Sequence, residues 1–184
     1  MTAKTESDDG DIINSIAINN AGDRIIAGAG SSHKLNFNGI YMWQRERGEE
    51  WVKLFSRNYS GIQSIAINNN NNMIVAGYLH EIKNEIKSEI KIWEKEGDDW
   101  VSKNIKENEY SMLKENDYSM LKENDYSIQS IAINNNNNMI VAGFYREEER
   151  SKIKILEKTN DFWEEVEEYI PDIIPIQSIA INNG

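Results

Sequence analysis

Cysteine is absent from the 184 residues. Disulfide frameworks and thiolate zinc sites are therefore excluded. Basic charge is also scarce: 20 Lys and Arg stand against 31 Asp and Glu, a formal net charge of −11. Phosphate backbones and anionic bilayers reward basic surface, so neither nucleic acid nor a membrane is expected as a partner. Apolar runs long enough to span a bilayer are missing. Residues 1–10 (MTAKTESDDG) have no apolar centre, so they read as a mobile acidic tail and not as a signal peptide, and a cytoplasmic location is expected. Without a secretion signal, the glycosylation sequon Asn58-Tyr59-Ser60 is expected to be silent.

One pentapeptide recurs. Ser-Ile-Ala-Ile-Asn occupies Ser15–Asn19, Ser64–Asn68, Ser130–Asn134 and Ser178–Asn182. The first three copies are each followed by a turn and a run ending in Ala-Gly, at Ala27-Gly28, Ala76-Gly77 and Ala142-Gly143. The copies are spaced 49, 66 and 48 residues apart. The long spacing holds three near-identical octapeptides, Lys106–Leu113, Lys114–Leu121 and Lys122–Gln129. Two of them are surplus, and removing their 16 residues leaves a spacing of 50. The chain is thus a repeat protein with a unit of about 49 residues. The surplus octapeptides, with Tyr110, Tyr118 and Tyr126 in the three copies, read as a slippage insert in a tolerant connection and not as a binding arm.

Each unit carries four short strand signals. In the first they are Ser15–Asn19, Arg24–Ala29, Gly39–Gln44 and Glu50–Phe55. In the second they are Ser64–Asn68, Met73–Gly77, Glu89–Glu94 and Trp100–Ile105; in the third, Ser130–Asn134, Met139–Gly143, Lys152–Glu157 and Trp163–Tyr169. Short strands at even spacing with a turn between each indicate an all-β repeat. The asparagine runs at 68–72 and 134–138 read as turns, because asparagine tolerates left-handed backbone. Leu79–Lys87 and Glu164–Ile170 have helical features but are expected as strand or loop from their place in the unit. The first two strands are apolar on both faces and the fourth is charged, so burial is expected to decline from first to fourth.

The order Ser-Ile-Ala-Ile-Asn, Asn-rich turn, Met-Ile-Val-Ala-Gly, loop, Ile90-Lys91-Ile92-Trp93, Asp98-Asp99-Trp100-Val101 resembles a WD-repeat blade. The Gly-His pair of that family is absent, and Met42 and Ile92 stand where its Asp precedes Trp, so its His–Asp network is not carried over. Gly22–Gly28 (GDRIIAG) with a later Trp-Val is also similar to FG-GAP-type repeats, but Asn replaces the clustered Asp of their calcium loop. Both resemblances imply a β-propeller. The expected architecture is all-β: a tail at 1–10, blade 1 at 11–63, blade 2 at 64–129 with the insert at 106–121, blade 3 at 130–177, and an extra strand at 178–184.

Catalytic, cofactor-binding or metal-ligating residues are not expected. His33 and His80 fall between second and third strands, with Arg146 at that place in the third unit; they read as loop histidines and not as a metal pair. Glu147–Glu149 and Glu164, Glu165, Glu167 and Glu168 read as solvated surface and not as acid/base pairs. Trp43 and Trp93 share a repeat position with Leu156 and are expected to pack between blades. A nucleophile–base pair and a Gly-rich phosphate loop are lacking. The expected function is a non-catalytic scaffold for protein–protein interaction or self-association as a dimer or higher. The alternatives are a lectin-like, calcium-dependent or hydrolytic propeller, or a truncated relic of a longer WD-repeat protein.

Overall fold

The computed structural model describes residues 12–30, 39–58, 61–82, 85–103, 105–106, 121–124, 127–145, 151–160, 162–170 and 176–181. Three antiparallel sheets follow one another along the chain. Blade 1 is β1 (Ile13–Ile18), β2 (Arg24–Ala29), β3 (Gly39–Gln44) and β4 (Val52–Asn58), paired in that order. Blade 2 has β5 (Ile62–Ile67), β6 (Met73–Ile82), β7 (Glu85–Glu96) and β8 (Asp99–Lys103). Two short strands follow, β9 (Ile105–Lys106) and β10 (Leu121–Asn124). Blade 3 has β11 (Ser127–Ile133), β12 (Met139–Tyr145), β13 (Lys152–Thr159) and β14 (Phe162–Tyr169). This is the all-β, propeller-type arrangement that the repeat implies.

The turn between first and second strands shows why asparagine recurs. Asn71 and Asn137 both sit at φ 59°, and Gly22 takes the same place in blade 1 at φ 67°. Asn68 Oδ1 accepts from the backbone N–H of Asn72 and of Met73, and Asn134 does the same for Asn138 and Met139. Asn19 does so for Asp23 and Arg24. One side chain thus closes the hairpin by imitating a backbone acceptor.

Leu79–Ile82 and Glu85–Lys87 lie in β6 and β7, which run on as a long hairpin. The helical spacing of Leu79, Ile82 and Ile86 does not prevail there. Tertiary pairing overrides a local pattern, and the β6–β7 ladder continues without a break from Met73 opposite Glu94 to Ile82 opposite Glu85. Glu164–Tyr169 belongs to β14.

Three expectations need correction. Burial does not decline from the first strand. The second and third strands hold the core, with Ile26, Ile40, Ile74, Ile90 and Ile140 fully buried, whereas β1 is largely exposed. Packing between blades, more than apolarity, sets burial here. Second, the octapeptide insert is not wholly outside the sheets. Lys106 lies in β9, which pairs in parallel with β14 of blade 3, and Leu121 starts β10, which pairs with β7. The outer edge of blade 2 is therefore split: β8 covers Ile92–Glu96 of β7 and β10 covers Lys87–Ile90. Tyr110, Tyr118, Tyr126 and residues 107–120 lie outside the described residues. Third, 176–181 lies at the place of a first strand against blade 3, but no strand pairing is assigned to it among the described residues.

Candidate functional site

The blades meet at seams, and each seam is built from the repeat itself. On every first strand Ile and Ile flank Ala, and alternation sends them to opposite faces. The isoleucines form the front face, toward the preceding blade. The alanine and the second-strand glycine belong to the back face. Blade 2 presents Ile65, Ile74, Ala76 and Trp93 to Ile26, Ile40 and Met42 of blade 1, in one buried cluster. Blade 3 presents Ile131, Ile140, Ala142 and Leu156 to Val75, Ile90 and Ile92 of blade 2, in a second.

Glycine lets the seam close. A Cβ on Gly77 would stand 2.6 Å from Ile128 Cγ2 and 2.8 Å from Ile131 Cδ1. Gly28 holds the same relation to Ile62. Serine satisfies the backbone that the seam buries. Ser15 Oγ accepts from Ile65 N–H at 3.1 Å, and Ser64 Oγ from Ile131 N–H at 2.9 Å. A second serine, within the third strand of blade 2, repeats the device: Ser88 Oγ accepts from Ile128 N–H at 3.3 Å. An ion pair crosses the rim, Lys158 Nζ to Glu94 Oε1 at 2.6 Å.

Residues 176–181 reproduce this seam on blade 3. A Cβ on Gly143 would meet Ile179 Cδ1 at 2.7 Å and Ile176 Cγ2 at 2.9 Å. Ser130 Oγ accepts from Ile179 N–H at 2.9 Å, and Ser151 Oγ from Ile176 N–H at 3.4 Å. Sequence reasoning missed these serines as seam residues. Ser15, Ser64, Ser130 and Ser178 were visible as a repeat; a hydroxyl beside two apolar residues at each period was the available signal.

The front of blade 1 is bare. Ile13, Ile16 and Ile18 are 46%, 63% and 59% exposed, whereas Ile62 is 0%, Ile65 is 4% and Ile131 is 6% exposed. Trp43 and Ile25 are half-buried at the positions where Trp93 and Ile74, or Leu156 and Ile140, are fully buried. Trp93 thus packs between blades as its position implies, and Leu156 does the same one blade on. Trp43 instead stacks on Tyr41 at a centroid distance of 6.0 Å.

The polar candidates are not brought together. His80 stands in β6 opposite Lys87, in a strand and not in a loop; His33, Arg146 and Glu147–Glu149 lie outside the described residues. Glu165 and Glu168 are engaged in ion pairs with Lys154, at 3.1 and 3.5 Å, and Glu168 also with Lys152. Lys154 is itself buried, so these carboxylates do more than solvate an edge. An open cleft of about 440 Å³ lies beside the first seam, with Arg24, Lys95, Asp98, Asp99 and Trp100 in its wall. Its lining holds no serine, threonine or histidine to serve as a nucleophile or imidazole base. Among the described residues no group of three or more His, Asp and Glu is placed to hold a metal ion, and no helix is long and apolar enough to cross a membrane.

No family model and no curated protein sequence matches the chain. Solved structures do. Hydrazine synthase of Kuenenia stuttgartiensis is similar over 90% of this chain and 51% of its own, with a TM-score of 0.59 and 10% identity. The Cps50 (Swd1) β-propeller domain of Myceliophteria thermophila is similar over 92% of this chain and 47% of its own, with a TM-score of 0.54 and 10% identity. The chain thus spans about half the length of these neighbours. At this identity the likeness establishes the fold, a β-propeller type with three four-stranded blades in this chain.

Proposed function

We propose that the chain is a non-catalytic propeller-type scaffold for protein–protein interaction or self-assembly, and that its working surface is the front of blade 1. The observation that carries this reading is the exposure of Ile13 and Ile16 at positions buried in both other blades, and of Ile18 where Ile67 and Ile133 are half-buried. Covering these side chains is worth about 1 kcal/mol each, since full burial of an isoleucine is worth about 1.5–3. Contiguous exposed apolar surface of this kind marks an interaction site. The net charge of −11 favours protein over nucleic acid as the partner.

The test is the double variant Ile16→Glu, Ile18→Glu. Both side chains face solvent, so circular dichroism and thermal stability are expected to stay near those of the unaltered chain. The native mass of the chain in extract of the cells that make it is expected to exceed one copy and to fall toward one copy in the variant. Equal native mass for the two proteins would overturn the reading.

A further inference from the structure

We propose that the partner is a second copy of this chain, whose intact blade 1 seats on the back of blade 3, and that residues 176–181 are a removable cover for that seat. This inference rests on the scaffold reading above and names both its partner and the element that restrains it.

The back of blade 3 is a seat for a first strand, and the segment lying in it shows what the seat accepts. Ile176 and Ile179 lie against Gly143, and their N–H groups donate to Ser151 and Ser130. Ser178–Asn182 is the pentapeptide Ser-Ile-Ala-Ile-Asn. The same pentapeptide occupies Ser15–Asn19, where Ile16 and Ile18 stand uncovered on the front of blade 1. β1 lies on β2 in the register that β5 has on β6 and β11 on β12: Ile16 is opposite Ala27 as Ile65 is opposite Ala76 and Ile131 opposite Ala142. In those two blades the isoleucine N–H donates to the serine of the preceding blade. Ile16 N–H is therefore placed to donate to Ser130 of a second copy, with Ile13 and Ile16 against its Gly143.

β1 stays in its own blade throughout. It is laddered to β2 over five residue pairs and anchored by Asn14 Nδ2, which donates to Gly30 O at 3.0 Å and to Ile62 O at 2.6 Å. Residues 176–181 have no strand pairing among the described residues, and none of the six is fully buried. They also fill only the first-strand part of the seat. Val141, Ile153 and Ile155 beside them are half-buried, although their counterparts Val75, Ile90 and Ile92 are fully buried. An arriving blade 1 brings what the lone segment lacks: Ile25, Tyr41 and Trp43, each half-buried in the single copy. The rim charges agree. Glu157 of one copy would meet Arg45 of the other at the place where Glu94 meets Lys158, and both residues are exposed in the single copy. A whole blade thus fills the seat better than the segment does, while the segment has the advantage of belonging to the same chain. The seat is open only in the fraction of molecules from which 176–181 has lifted, and the apparent affinity is reduced by that fraction. Reciprocal seating of two copies closes a two-fold ring of six blades.

Sedimentation of the purified chain over a range of concentrations reads this equilibrium. The unaltered chain is expected to pass from the mass of one copy to that of two as concentration rises. Ile179→Glu sets a carboxylate against Gly143 and lifts the cover; because Ile179 lies outside every sheet ladder, circular dichroism is expected to be unchanged. The dissociation constant of this variant is expected to fall about tenfold, the factor that losing an isoleucine's burial supplies. Adding Ile16→Glu to it is expected to return the chain to one copy, which separates seating from unspecific association of an uncovered face. Glu157→Arg is expected to weaken the dimer about two- to fivefold, and Arg45→Glu in the same chain to restore it. An Ile179→Glu dimer no tighter than the unaltered one, or one indifferent to Ile16→Glu, would overturn the inference. If the purified chain stays at one copy with and without Ile179→Glu while the extract complex still depends on Ile16 and Ile18, another protein is the partner: the scaffold reading stands and this inference falls. If neither the extract complex nor the purified dimer depends on them, both fall.

Discussion

Replacing Gly77 by alanine tests whether the seam is as tight as its geometry indicates. The new methyl would stand 2.6 Å from Ile128 Cγ2, 2.8 Å from Ile131 Cδ1 and 2.9 Å from Ile128 Cδ1. Carbon atoms prefer about 3.5–4.0 Å. Ile128 and Ile131 are 0% and 6% exposed, so neither has space to retreat. Overpacking of this kind costs about 1–3 kcal/mol. The backbone effect runs the other way, because alanine in a strand interior is about 0.5–1 kcal/mol better than glycine. The clash must exceed that gain for the variant to be less stable. Urea unfolding is expected to show a loss of about 1–2 kcal/mol, or roughly 2–8 °C in melting temperature at this chain length. Coupling to the neighbour is the sharper measure. Ile128→Ala removes two of the three atoms the methyl strikes, so the double variant is expected to be more stable than the sum of the single losses by about 1 kcal/mol. Gly97→Ala serves as the contrast: nothing lies within 4 Å of its Cβ position and φ is +62°, so its cost is conformational and independent of Ile128. A neutral Gly77→Ala, or strict additivity with Ile128→Ala, would refute the tight seam.

Trp93→Ala is expected to cost about 3–5 kcal/mol in urea unfolding, and Trp43→Ala clearly less, because only Trp93 is fully buried; in variants with one tryptophan, emission from Trp93 is expected to be the bluer. Asn68→Ala removes the acceptor for two backbone N–H groups and is expected to cost about 1–3 kcal/mol by the same assay. Deleting Glu107–Lys114, one octapeptide's worth of chain that leaves β9 and β10 intact, is expected to shift the melting temperature by no more than about 2–4 °C, the equivalent of about 1 kcal/mol. Ile105→Ala, by contrast, empties a site only 1% exposed and is expected to cost about 2–5 kcal/mol.

The pentapeptide made the architecture readable, because one strand copied at a fixed period fixes the blade that contains it. The asparagine turns were readable for a local reason: the φ demanded at Asn71 and Asn137 is a property of the residue and its hairpin. Burial was misjudged where it depends on a neighbour. Ile16 and Ile65 are the same residue in the same pentapeptide, and only a preceding blade distinguishes 63% exposure from 4%. The split edge of blade 2 was hidden for a similar reason. Ile105 and Lys106 follow β8 in sequence but pair with blade 3, a long-range choice that no local pattern records. The seam serines were read as spacing markers, since a hydroxyl that accepts from a neighbouring blade looks in sequence like one that faces water.

The seam has a direction. Each blade offers isoleucine forward and glycine with serine behind, so identical units can join only head to tail and never face to face. Such a joint carries no information about how many units belong in a row. Duplicating one unit in the gene would create a new blade whose two contacts are already solved, with no second mutation required. The number of blades is then free to drift while the blade itself is held constant, and a pentapeptide recurring in units of about 49 residues is what such growth by copying leaves behind.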